Sequence, residues 1–265
     1  MRESRPDVCI GVIGAREHYA GARALHAQGR LLRLYTDIWC RPGQARMLPP
    51  MLRKRVEGRH HEALRGMVRG FNRGAAWHLA AQKLRGGVGD VHETYCRSGR
   101  WFAQRVAASM QSDGAAKACA HYIGFTSAAL ETFEALCGQG TQCVLDQIDS
   151  GPRHFELLYE ERERWPGWDV SEGIVPDSYW ARVRAEWAAA GRIVVNSEWS
   201  RDALVGQGVP AGKLGVVPLC YEGGGQAGRA ARILEREGAL RVLWVGTVNL
   251  MKGFPYLVEA LQGAV

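Results

Sequence analysis

Residues 7–37 read DVCIGVIGAREHYAGARALHAQGRLLRLYTD. Val8 to Ile13 is an almost unbroken apolar run, the pattern of a strand buried on both faces of a parallel sheet. Gly14 opens a loop. The spacing predicts a helix from Glu17 to Gln28, stopped by Gly29. Leu31 to Tyr35 then reads as a second strand. This is a βαβ unit, for which a right-handed crossover is expected. Gly14 stands at the C-terminal end of strand one, where doubly wound sheets place ligands, and His18 lies in the turn that follows.

The same alternation continues along the chain. Lys117–Tyr122, Gln142–Leu145, Ile193–Val195 and Leu214–Val217 read as strands, and Val91–Met110, Ser127–Gly138, Phe155–Arg164 and Ser178–Ala190 as helices. On this reading His121 lies at the end of a strand, and so does Asp146, with Asp149 just beyond. Ser197 is placed to cap a helix beginning at Glu198, because its hydroxyl can accept a free first-turn N–H. Gly208 and Pro210 end that helix. A glycine-rich linker at Gly223–Gly228 and a short helix at Arg229–Glu237 follow. The chain closes on RVLWVGTVNLMKGFPYLVEALQGAV: a strand at Val242–Val245, a loop at Gly246–Lys252 and a helix from Gly253. The expected fold class is therefore α/β, a doubly wound Rossmann-like parallel-sheet domain, then a glycine-rich linker and the opening of a second α/β domain. The boundaries are 1–222, 223–238 and 239–265.

Charge is unevenly spread. The net charge is +7, yet Arg41 to Arg105 holds fourteen Lys and Arg against Glu57, Glu62, Asp90 and Glu93, a local net charge of +10. This basic stretch also carries Leu48, Met51, Leu52, Leu64, Met67, Val68, Phe71 and Trp77. It reads as an insertion of helices and loops, either a solvated face over a buried seam or a surface for anionic lipid or another anionic partner. No nucleic-acid motif is present. The seven cysteines form no CxxC pair and show no zinc spacing, a usage that fits a reducing cytoplasm. Cys9 and Cys119, inside apolar runs, read as small core residues. No apolar stretch reaches membrane-span length. The first residues lack the cleavage site of a signal peptide.

Two stretches resemble the family 4 glycosyltransferases of the two-Rossmann-domain (GT-B) type. IVVNSEWSRDALVGQGVPAGKLGVVPL, residues 193–219, is similar to the end of that family's N-terminal domain. VLWVGTVNLMKGFPYLVEAL, residues 242–261, is similar to the start of its C-terminal domain. The resemblance implies an acceptor-binding first domain and a second domain that binds a nucleotide-sugar donor. It further implies transfer in the cleft between them with retention of configuration, no metal and no cofactor beyond the nucleotide-sugar co-substrate. The acceptor would be a carbohydrate, lipid-linked or other glycan. Apart from the resemblance, a cytoplasmic setting is expected from the cysteine usage, and peripheral contact with the inner face of an anionic membrane from the basic stretch.

The resemblance assigns residues too. Gly246, Thr247, Lys252 and Gly253 take the donor-phosphate loop, with Lys252 as the cation and Thr247 where family members often carry arginine. A cation there stabilises the charge that grows on a diphosphate leaving group. His121 matches a histidine near the transferred sugar and is the catalytic candidate. Gly14, His18, Asp146 and Ser197 take the acceptor or cleft side: His18 could touch acceptor or donor, and Asp146 and Asp149 could orient sugar hydroxyls or equally cap the next turn. The family's paired glutamates have no counterpart between Leu261 and Val265. The expectation is therefore a truncated transferase, weakly active or inactive alone.

Two other classes compete. A non-catalytic protein could use the basic surface to bind an anion or membrane. A nucleotide-dependent oxidoreductase is the weaker rival: Gly11, Gly14 and Gly21 do not make GxGxxG, and Asp37 is the lone acid at the end of strand two.

Overall fold

The computed structural model describes residues 6–84, 91–168, 174–219 and 242–263. The chain divides into two compact units, Met1–Gly151 with Glu172–Val217, and Pro152–Ser171 with Pro218–Val265. The expected linker and short helix between residues 223 and 238 lie outside the described residues.

The first unit is a doubly wound α/β domain. Seven strands, all parallel, form one sheet: β1 (Val8–Val12), β2 (Leu31–Thr36), β3 (Val68–Gly70), β4 (His121–Phe125), β5 (Gln142–Asp146), β6 (Arg192–Val195) and β7 (Leu214–Val216). Their order is β3-β2-β1-β4-β5-β6-β7. The winding reverses between β1 and β4, so the loops leaving those two strands diverge and open a crevice at the C-terminal edge of the sheet. The helices are α1 (Ala20–Ala27), α2 (Pro42–Arg46), α3 (Pro50–Val56), α4 (Asn72–Leu84), α5 (Val91–Ser112), α6 (Ala115–Ala118), α7 (Leu130–Leu136), α9 (Asp177–Ala189) and α10 (Glu198–Gly206). One core cluster joins Ile10, Val12, Tyr19, Ala22, Leu31, Leu34 and Leu64. Elsewhere in the unit, Tyr122 meets Phe133 edge to face at 5.9 Å, and its hydroxyl crosses Gly11, where a Cβ would stand 2.1 Å from it. Only glycine fits there, which explains the gap in an otherwise apolar strand.

Four expectations need correction. The helix after β1 starts at Ala20, not Glu17, because Glu17, His18 and Tyr19 all take left-handed backbone angles. Such angles cost L-residues roughly 1–2 kcal/mol each. Burial of the Tyr19 ring against Trp39, 5.4 Å between centroids, offsets part of that cost. The basic insertion is not only helix and loop, since Val68–Gly70 pairs with β2 as the edge strand. Lys117 belongs to α6, whose Ala-rich turn is entered through left-handed Gly114 and an Asp113 Oδ1 bond to the Ala115 N–H of 3.0 Å. The strand therefore begins later, at His121. Finally, Val242–Val245 forms no strand. A strand exists through its ladder partners, and among the described residues none pairs with this segment. Leu243 and Val245 are exposed.

The second unit contains α8 (Pro152–Arg164) and α11 (Phe254–Gln262). Tyr256 Oη donates to Glu161 Oε2 and accepts from Arg164 Nη1, both at 2.6 Å. Trp165 meets Tyr256 edge to face at 5.2 Å, and Phe254 is flanked by Trp168 and Trp244. Aromatic contact thus joins two segments ninety residues apart in sequence.

Glu186 on α9 anchors the loop after β4. Its carboxylate accepts the N–H groups of Ser127 (2.6 Å), Ala129 (3.0 Å) and Leu130 (3.3 Å). These are donors at the start of α7 that have no partner within the helix. Arg182, one turn earlier on α9, donates to Ser127 O and to both oxygens of Glu131. The same loop lies on Gly99 of α5, where a Cβ would come within 1.8 Å of Ser127 O. Ala is the better helix former by about 1 kcal/mol. Even so, Gly99→Ala is expected to lower stability by roughly 2 kcal/mol or more, because backbone must move. Urea unfolding followed by circular dichroism measures it; an unchanged or higher midpoint would show that the contact is not close.

Candidate functional site

The C-terminal edge of the sheet gathers most of the acceptor-side candidates. The loop after β1 turns at Gly14, whose φ of +86° favours glycine. Its N–H donates to Asp37 Oδ1 at 2.9 Å. Asp37 directly follows β2, and the same oxygen accepts Arg59 Nη1 at 2.7 Å and Thr36 Oγ1 at 3.2 Å. Three donors converge on one carboxylate oxygen. That commitment ties the β1 loop, the end of β2 and Arg59 to one point. It also occupies the Gly14 amide.

His18 is exposed, in the left-handed turn. Its imidazole leans on Gly58, where a Cβ would stand 3.6 Å from Nε2. Behind it, Tyr19, Trp39 and His60 form a ring cluster, with centroids 5.4 Å and 5.0 Å apart in succession. Burial raises the Tyr19 hydroxyl to about 12, so it stays protonated. On the other side of the loop the Arg16 guanidinium lies 5.9 Å from the Phe125 ring centroid. Phe125 ends β4 and Asp146 ends β5. Burial pushes the Asp146 carboxyl up to about 6; the charge of Arg16 opposes the rise and Glu17 adds to it. Gly14, Arg16, Glu17, Phe125 and Asp146 thus surround the crevice where the winding reverses.

His121 is not among them. It opens β4 rather than closing it, which puts it on the opposite, N-terminal edge of the sheet. There its Nδ1 is 3.7 Å from Asp7 Oδ2, and Asp7 is held low chiefly by its hydrogen bond from Arg30. The four-residue shift in the strand frame removes the geometric basis for His121 as a group at the ligand edge. Ser197 does follow β6, but its Oγ accepts the Ser200 N–H at 3.1 Å and bonds Ser200 Oγ at 3.0 Å. It is the cap of α10. Asp149 is likewise occupied, accepting from Gly151 N and Gln147 Nε2.

The remaining candidates lie together in the second unit. Asn249 Oδ1 accepts the Lys252 N–H at 3.1 Å and caps a short 3-10 turn at Leu250–Lys252. Gly253, with φ +66°, makes the left-handed step into α11. A Cβ on Gly246 would lie 3.9 Å from Lys252 Cγ and 3.8 Å from Trp244 Nε1. The loop therefore closes on itself, with Gly246, Lys252 and Gly253 together at the start of a helix and Thr247 exposed between them. Such a helix start favours an anion.

Reasoning from sequence missed Arg16 and Arg59. The signal for Arg59 was indirect: Asp37 alone at the end of β2 needed a cation.

Among the described residues no group of His, Cys, Asp and Glu is arranged to hold a metal ion, and no helix is long and apolar enough to cross a membrane. The chain matches no protein-family model and no curated protein. Among solved structures it is similar to UGT2 of Phytolacca americana, complexed with UDP-2fluoro-glucose and pterostilbene, at 11% identity and a TM-score of 0.48. The match covers 82% of this chain and 54% of that one, so the chain spans about half of that protein's length.

Asp146 makes a pH prediction. An acid raised from 3.8 to about 6 by folding contributes stability fully below its unfolded value, and that contribution is lost as pH rises through about 6. Asp146→Asn should therefore gain on the unmodified chain between pH 4 and 7 by on the order of 2 kcal/mol. Urea midpoints at the two ends of that range measure the gain. Parallel curves for the two proteins would mean that Asp146 is solvated.

Proposed function

We propose that this chain belongs to a glycosyltransferase, with its first unit on the acceptor side and its closing loop as the donor-phosphate contact. The observation that carries the reading is that residues 246–261 of the closing motif fold as a closed glycine loop before a helix. Gly246 and Lys252 are brought together there, and Gly253 turns the chain into α11. Support comes from residues 193–219, which fold in the order the resemblance implies: strand β6, the Ser197 cap, helix α10, a left-handed Gly208, and strand β7.

In this reading the donor is a nucleotide-sugar. As the bond from the sugar's anomeric carbon to the diphosphate breaks, charge accumulates on the leaving oxygen. Lys252 and the α11 amide dipoles stabilise that charge more than the ground state, which is the condition for faster transfer. Thr247 in place of arginine leaves Lys252 as the cation of this loop. On the acceptor side, Asp146 and Arg16 meet polar hydroxyls at the sheet edge. Asp146 is mostly ionised at neutral pH, yet close enough to its pKa to exchange a proton. Retention of configuration and metal-independent chemistry belong to the same proposal and rest on the resemblance; a cytoplasmic setting rests on the cysteine usage.

Intrinsic tryptophan fluorescence tests it, because Trp244 lies beside Gly246. UDP-glucose and other nucleotide-sugars should quench the full chain. Lys252→Ala should weaken binding about tenfold or more, and Lys252→Arg much less. Binding indifferent to Lys252→Ala, or NADH bound in preference to every nucleotide-sugar, would overturn the reading.

A further inference from the structure

We propose that the excursion of residues 41–58 docks on the surface of an anionic lipid bilayer. The inference stands apart from the transferase reading. Its base is closed: Cys40 N donates to Arg59 O at 2.9 Å, so the chain leaves and returns at one point. Between these residues lie α2 and α3, each begun by proline. Arg53 of α3 reaches back to the carbonyl of Arg46 at 3.1 Å and ties the two short helices together. From Arg41 to Val56 the sequence has five cations and no acid.

This segment also points apolar side chains at solvent. Met47 is 80% exposed and Leu52 48%. Nearby apolar residues do find the core: Leu64 is fully buried, and Met67 and Val68 pack against the first cluster. Exposure of Met47 and Leu52 is therefore a property of the excursion and not of a region lacking a core. The residues around them, Arg46, Arg53 and Lys54, are exposed cations.

Cations interleaved with exposed aliphatic side chains fit a bilayer interface, where the charges meet lipid phosphates and the apolar groups enter the acyl boundary. A nucleic-acid backbone would satisfy the charges and leave Met47 and Leu52 in water. A second exposed group lies close in the chain path. Asn72, which starts α4, bonds both the N–H and the carbonyl of Trp39, beside the excursion's base, and α4 carries Trp77, 78% exposed. The foot of the excursion is Arg59, which holds Asp37 and through it the Gly14 loop. Docking would set the ligand edge of the sheet close to the bilayer.

Co-sedimentation of the full chain with vesicles of phosphatidylcholine, with and without phosphatidylglycerol, tests the proposal. Binding is expected only with phosphatidylglycerol and should fall as salt rises. Arg46→Glu with Lys54→Glu should lower it about tenfold or more. Met47→Ser with Leu52→Ser, which leaves the charge intact, should remove the binding that persists at high salt. Arg201→Glu on α10 makes half the net-charge change of the Arg46→Glu with Lys54→Glu variant, away from the excursion, and should alter binding little. Four outcomes would overturn the proposal: no binding to phosphatidylglycerol vesicles; binding unmoved by both double variants; equal loss in the Arg201→Glu control; or tighter binding of a DNA duplex with the same variant dependence.

Discussion

Asp37 Oδ1 is where the C-terminal edge of the sheet is held together in the first unit. Gly14 N–H, Arg59 and Thr36 Oγ1 all donate to this one oxygen. The first fixes the path of the chain as it leaves β1, the second anchors the foot of the basic excursion, and the third comes from the last residue of β2. Charge-assisted bonds of this kind are about twice as strong as neutral ones, and side chains at a part-buried site lose less to solvent screening. The left-handed turn at Glu17–Tyr19 follows from that fixed path. Once Gly14 is pinned, the chain must reverse sharply before α1, and the buried Tyr19 ring holds the reversal in place.

The strand order explains why a second anchor is needed. Because the winding reverses between β1 and β4, the loops leaving these neighbours diverge and cannot support each other. The β1 loop is held by Asp37. The β4 loop is held by Glu186, which takes three backbone N–H groups at the start of α7. In both cases a carboxylate from another element satisfies amides that no sheet or helix partner reaches. The crevice between them is thereby preorganised, with Arg16, Phe125 and Asp146 on its walls. Burial is what makes Asp146 chemically distinct from the surface acids.

The basic third of the chain combines two kinds of structure that look alike in composition. Leu64, Met67 and Val68 complete the core under α1, and β3 extends the sheet. Met47, Leu52 and Trp77 face solvent. Hydrophobicity alone does not separate these groups, because burial depends on which neighbours the fold provides. The closing segment teaches the same lesson. Val242–Val245 has a strand's composition, yet among the described residues no partner strand supplies its hydrogen bonds, and it remains irregular.

What the sequence determined by itself was whatever depends on local spacing. The βαβ opening, the parallel α/β class, the Ser197 cap, the stop at Gly208 and the helix after Gly253 all follow from side-chain period, capping chemistry and glycine's freedom, each legible within a dozen residues. Gly14 and Asp146 were legible as residues at the C-terminal edge of the sheet because each directly follows an apolar run. His121 was misplaced because the Ala-rich turn before it passes for the start of a strand. Only pairing with β1 sets the frame, and a shift of a few residues moves a side chain to the opposite edge of the sheet. The convergence of Gly14, Thr36 and Arg59 on Asp37, the capping of α7 by Glu186 and the company Arg16 keeps with Asp146 were decided by tertiary structure alone. Thr36 aside, they join residues from about twenty to 130 positions apart, and no local propensity encodes which distant group will reach a carboxylate once the sheet has closed.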